Sequence, residues 1–165
     1  MRIAALTIST LLATTTALAV EVPLTTPVSG VVKTVFVTQG QNVKKGQVLL
    51  SLDDSIYQAR VVEAAAGVSR LQMEAAEADR DLKRAKELYD RAVSSTTEYD
   101  QAKLRFARAD GLYREAQARL TIANKNLEYS ILRAPFNGVV SKRLAEPGMV
   151  VSAELQPATL IILSK

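Results

Sequence analysis

Two stretches of the chain, far apart, follow the same residue pattern, and this repeat limits the possible folds more than any other feature. TPVSGVVKTVFVTQGQNVKKGQVLLSLDD, Thr26 to Asp54, aligns without a gap on APFNGVVSKRLAEPGMVVSAELQPATLIIL, which starts at Ala134. Pro27 matches Pro135, Gly30 matches Gly138, Val31 and Val32 match Val139 and Val140, Gly40 matches Gly148, and Val43 matches Val151. One constant separation across all these pairs makes it an internal repeat. In each copy β-branched residues alternate with turn signals, among them Ser29-Gly30, Gln39-Gly40, Lys45-Gly46 and Pro147-Gly148, which predicts short strands and tight turns. Neither copy is long enough to bury an apolar face alone, so the two are expected to pack together as one small β-sandwich. Gly30, Gly40, Gly46, Gly138 and Gly148 are assigned to its turns, where a positive φ is easily reached.

Between the copies Gly and Pro almost vanish, and Ala, Arg, Glu, Leu and Lys take over. Val61, Val68, Ala75, Leu82 and Tyr89 recur every seven residues, with Ala64, Leu71, Ala78, Ala85 and Ala92 three residues behind them. A second such pair of series follows: Tyr99, Phe106, Tyr113, Leu120 and Leu127, interleaved with Ala102, Ala109, Ala116 and Ala123. Each pair is an a/d seam, so the insertion reads as two antiparallel helices, large side chains set over alanines, projecting about 50 Å. Gly67 and Gly111 weaken the arms locally, by about 1 kcal/mol each relative to Ala. Ser55-Ile56-Tyr57-Gln58 is expected to be a capping box at the start of the first helix, and Ser95-Thr96-Thr97-Glu98 a second one at the start of the next. The α+β chain is thereby divided into a split β-domain, residues 20–53 and 131–165, and a helical hairpin, residues 54–130. Its arms are expected at about 55–92 and 96–129, with a tip at 93–95.

There is no Cys, His or Trp, which removes disulfides, thiolate and imidazole metal sites and the common nucleophile-plus-base pairs. An enzyme is not expected. Arg2, an apolar run with several Thr, and Ala17-Leu18-Ala19 read as a cleaved secretory signal over residues 1–19, so the mature chain is expected outside the cytoplasm. A formal charge of +4, mixed along the chain, gives no basic stripe for nucleic acid.

With these residues in place the two halves resemble the split biotinyl/lipoyl-like fold, through V-x-x-G in the first and R-A-P-F-x-G-x-V in the second. Carriers with that fold attach biotin or lipoate to a Lys on a hairpin between the halves. Here the helical insertion occupies that place, and Lys44 and Lys45 lie on a turn of the first half, so no cofactor is expected. The signal segment, split halves and inserted hairpin together resemble the periplasmic adaptor family, also called membrane fusion or haemolysin-secretion-D-like proteins. That resemblance implies a subunit of a tripartite efflux or secretion system, linking an inner-membrane transporter to a TolC-type outer-membrane channel and assembling as a homo-oligomer. It also assigns the tip. Efflux adaptors carry an Arg, a Leu four residues on and a Ser seven after that, and Arg84, Leu88 and Ser95 stand at those spacings, followed by the similar Glu98-Tyr99-Asp100. The bland reading of Ser95 is an N-cap, and of Arg84 a surface charge. Leu88, one position before the seam residue Tyr89, is not required by the seam. No segment resembles the family's β-barrel and membrane-proximal domains, so a short form is expected. A free-standing periplasmic coiled-coil protein, structural or chaperone-like, or a helper of a longer adaptor, is the competing expectation.

Overall fold

The computed structural model describes residues 20–154 and 158–165. The expected signal segment lies outside them. Ten elements follow in order: β1 Glu21–Leu24, β2 Gly30–Val35, β3 Asn42–Val43, β4 Val48–Leu52, α1 Ser55–Asp90, α2 Thr96–Tyr129, β5 Ile131–Arg133, β6 Gly138–Arg143, β7 Val150–Val151 and β8 Ile161–Ser164. The strands form two four-stranded antiparallel sheets, ordered β1-β8-β6-β3 and β5-β4-β2-β7.

The sequence repeat becomes a pseudo-twofold relation in space, and each sheet takes two strands from each half, β1 and β3 joining β6 and β8 as β5 and β7 join β2 and β4. β3 leaves its own half to pair with β6, and β7 does the reverse with β2. The two exchanges share one register: Val43 lies opposite Gly138 as Val151 lies opposite Gly30, and Asn42 opposite Val139 as Val150 opposite Val31. The bonds flanking them match as well. Gly40 N donates to Val140 O and Gly148 N to Val32 O, both at 2.8 Å. Even the irregularities repeat, at Val32/Thr34 in β2 and Val140/Lys142 in β6. The core is drawn from both halves, with Val32, Val37, Leu50 and Leu52 packed among Val140, Ala145, Ile161 and Leu163.

Of the five glycines expected at turns, Gly40, Gly46 and Gly148 have φ of 83°, 84° and 88°. Gly148 follows Pro147 in a turn closed by Met149 N to Glu146 O at 3.0 Å, the type II arrangement. Gly30 and Gly138 instead open strands β2 and β6 without positive φ. At Gly138 the reason is close approach, since a Cβ there would lie 2.3 Å from the Ser164 carbonyl oxygen.

The hairpin leaves the sandwich between β4 and β5, where Leu52 N donates to Ser130 O at 2.8 Å. Helices of 36 and 34 residues carry the arms. The alanines of the seam sink deepest: Ala75, Ala102, Ala116 and Ala123 are buried, while the larger seam residues stay half exposed because each helix has a single neighbour. Three contacts seat its base. The buried Thr26 hydroxyl donates to Tyr129 O at 2.9 Å, the Tyr57 hydroxyl donates to Ser29 O at 2.5 Å, and the buried Ser130 hydroxyl donates to Leu127 O at 2.6 Å.

The capping box expected at Ser55 does not form. α1 starts one residue earlier in register, with Asp54 as N-cap. Asp53 Oδ1 accepts from Ser55 N at 3.1 Å, and Gln58 Nε2 reaches Asp54 Oδ2 at 2.7 Å. The Asp53 carboxyl is held below its ordinary pKa, first by the Ser55 backbone hydrogen bond. Asp53 N still belongs to the sheet, donating to Val31 O, so the helix can begin only beyond it.

Candidate functional site at the hairpin tip

Both helices are terminated at the tip by local devices. α1 ends in a Schellman arrangement: Val93 N donates to Leu88 O and Ala92 N to Tyr89 O, each at 2.9 Å. Ala92 takes the left-handed position, φ 56°, that glycine more often fills. α2 starts with the expected capping box. Ser95 Oγ accepts from Glu98 N at 3.2 Å and Ser95 N donates to Glu98 Oε2 at 3.0 Å. Ser94 Oγ adds a second bond to that carboxylate at 2.6 Å. These donors, the Ser94 hydroxyl first and the Ser95 N–H next, hold the Glu98 carboxyl below its ordinary pKa. Just behind the turn the Tyr89 and Tyr99 rings stack at 5.4 Å, 15° from parallel, with Lys103 Nζ 5.4 Å from the Tyr99 centroid. The tip is therefore ordered by its own bonds before any partner arrives.

The three residues singled out in the sequence fall in two places. Arg84 and Leu88 line one open groove with Val93, Ser94, Glu98 and Arg105. Leu88 is 39% exposed, and its backbone carbonyl accepts the Val93 N–H that closes the Schellman turn. Arg84 is exposed and makes only a 3.3 Å contact with Asp81. Ser95 does not line the groove, because its hydroxyl is occupied as the cap, and Ser94 stands there instead. Sequence reasoning passed over Val93, Ser94 and Arg105. Val93 was recoverable as the apolar residue two past a helix C-cap, here Arg91. Arg105 was not, since it reaches the groove from the other helix.

Among the described residues no group of three or more carboxylate, thiol or imidazole side chains comes together to hold a metal. No described helix is long and apolar enough to cross a membrane. The site can bind a surface: an apolar centre, guanidinium groups beside it, and a stiff arm behind it.

Residues 21–160 match the family described as the CzcB-like barrel-sandwich hybrid domain. The chain is 33% identical over 125 residues to the multidrug export protein AcrE of Escherichia coli (strain K12), with 76% of this chain and 32% of that one covered. It is 30% identical over 125 residues to the efflux pump periplasmic linker BepD of Brucella suis biovar 1 (strain 1330), with 74% and 31% covered. The chain thus spans about a third of the length of these curated relatives. A solved MacA-MexA chimeric protein containing the Pseudomonas aeruginosa MexA α-hairpin domain matches with a TM-score of 0.66 at 27% identity, over 87% of this chain and 46% of that one.

Proposed function

The chain belongs to the CzcB-like barrel-sandwich hybrid family, whose curated relatives are periplasmic adaptor or membrane fusion proteins, and from that premise we propose that it acts as an adaptor in an export machine of the cell envelope. In this reading the chain works in the periplasm, delivered by the signal segment at its N-terminus. Copies pack side by side, the hairpins enclose a passage, and the tips dock on a TolC-type outer-membrane channel. An inner-membrane transporter is joined at the other end of the machine. The role is mechanical, with no catalytic step.

The observation that carries the reading is the tip itself. An arm of about 50 Å holds Arg84 and Leu88 in one solvent-open groove at its far end, on a turn already closed by the Glu98 bonds and the tyrosine stack. A partner then meets a prepared surface and little ordering entropy is lost on contact. Arg84 can hydrogen-bond carboxylates or helix-end carbonyls, and Leu88 can fill an apolar notch. Ser95 supports the site from behind as the cap.

Two measurements test this. In-cell photo-crosslinking from position 88 in the native host is expected to capture an outer-membrane channel, identified by mass spectrometry; capture of only itself, or of nothing, moves the chain to the free-standing structural role. Leu88→Asp is expected to impair export while the unfolding free energy changes by no more than about 0.5 kcal/mol. A melted hairpin in that variant would assign Leu88 to the Schellman contact alone.

A further inference from the structure

Val93 is 72% exposed, more than any other large hydrophobic side chain described on α1, α2 or the turn between them. An exposed valine in a two-helix turn needs a reason, because the turn could close with a polar residue there. Its position is not left to chance. The Val93 N–H is bonded to Leu88 O, and Ala92 holds the left-handed conformation that turns the chain back over Leu88. Leu88 and Val93 thereby form one apolar patch on the groove wall.

The charges around that patch are uneven. Glu98 lines the groove but is already bonded by Ser94 and Ser95, and Asp81 is paired with Arg84. Arg105, arriving from α2, forms no ion pair among the described residues. The groove therefore presents two guanidinium groups beside an apolar centre: Arg84 shares one 3.3 Å contact with Asp81, Arg105 is in no ion pair among the described residues although Glu74, Glu77 and Asp81 border it on its other side, and Glu98 is engaged by the Ser94 and Ser95 donors. The surface complementary to this is an apolar notch rimmed by carboxylates.

We propose that the docking surface extends over both helices, with Val93 as its apolar anchor beside Leu88 and Arg105 as its second cation, and that the partner is a protein presenting an acid-rimmed apolar notch. This rests on the docking reading of the tip given above. Arg84 and Leu88 alone would define a line along α1. Adding Val93 and Arg105 makes a patch across the tip, which fixes the partner's orientation as well as its position.

The test uses the full chain in its native host with a photo-crosslinker at position 87, which does not line the groove. The readout is the yield of the adduct with the outer-membrane channel. Val93→Ser and Arg105→Glu are each expected to lower that yield about tenfold, the size of a typical interface hot-spot effect, and Arg105→Lys to lose less than Arg105→Glu. Far-ultraviolet circular dichroism and melting of the purified variants should match the unaltered chain, since neither side chain is buried. If the unaltered tip captures the channel and both variants capture it equally well, the extended surface is wrong while the docking reading stands. If the unaltered tip captures no channel, or only a second copy of this chain, both fall together.

Discussion

Gly138 and Gly30 occupy equivalent places in the two halves, yet the structure makes different demands on them. A Cβ on Gly138 would sit 2.3 Å from Ser164 O and 3.2 Å from the Phe136 ring, whereas one on Gly30 would meet nothing nearer than the Leu52 side chain at 3.4 Å, with Asp53 O at an ordinary 4.0 Å. Backbone cannot move aside as a side-chain tip can. Gly138→Ala should therefore destabilise the domain by about 2 kcal/mol or more, and Gly30→Ala by under about 1 kcal/mol, as measured by urea unfolding. Ala92 tests the opposite sign. Its φ of 56° disfavours any Cβ, so Ala92→Gly should leave stability unchanged or raise it by up to about 1 kcal/mol, the steric relief being partly offset by the greater freedom of glycine when unfolded. A loss of stability in that variant would mean that the Schellman turn is not held as described.

At the scale of the element, the start of α2 depends on one ionised carboxylate. Glu98 has its pKa lowered by the Ser94 hydroxyl and then by the Ser95 N–H, so the stabilisation it provides is fully present above the ordinary carboxylate pKa and is lost as pH falls through the lower folded value. Melting temperatures of the unaltered chain and of Glu98→Gln should keep a constant difference from neutral pH down to about pH 5. The gap should close below about pH 4. A gap that persists in acid would show that the cap works equally well protonated. The second capping box was legible in the sequence because all its members are within four residues. The first did not form: Asp53, Asp54 and Ser55 are all good caps, and the helix start among them is set by a strand bond from Asp53 to Val31, far away in the chain.

At the scale of the whole molecule, the sandwich and the hairpin are held by separate sets of contacts. The buried core cluster contains only sandwich residues, with Tyr57 the one helical side chain packed against it. β4 and β5 are antiparallel neighbours whose ends already meet at Leu52 and Ser130. Replacing residues 55–129 by a short Gly/Asn turn should therefore leave a β-domain that still unfolds cooperatively on heating, followed by circular dichroism in the strand region. Failure to fold would mean that the hairpin base, through Thr26 and Tyr57, is required to assemble the two halves.

The sequence alone determined the split sandwich, the inserted hairpin and the place of its tip, because heptad spacing, turn residues and a repeat at one separation are patterns carried by neighbours along the chain. Only the tertiary structure decided that β3 and β7 change sides, that Gly138 serves close approach and not a turn, and that Arg105 joins Arg84, Leu88 and Val93 in one groove. Those outcomes depend on register between segments far apart in the chain, where the alternatives differ by packing and hydrogen bonds that no local pattern encodes.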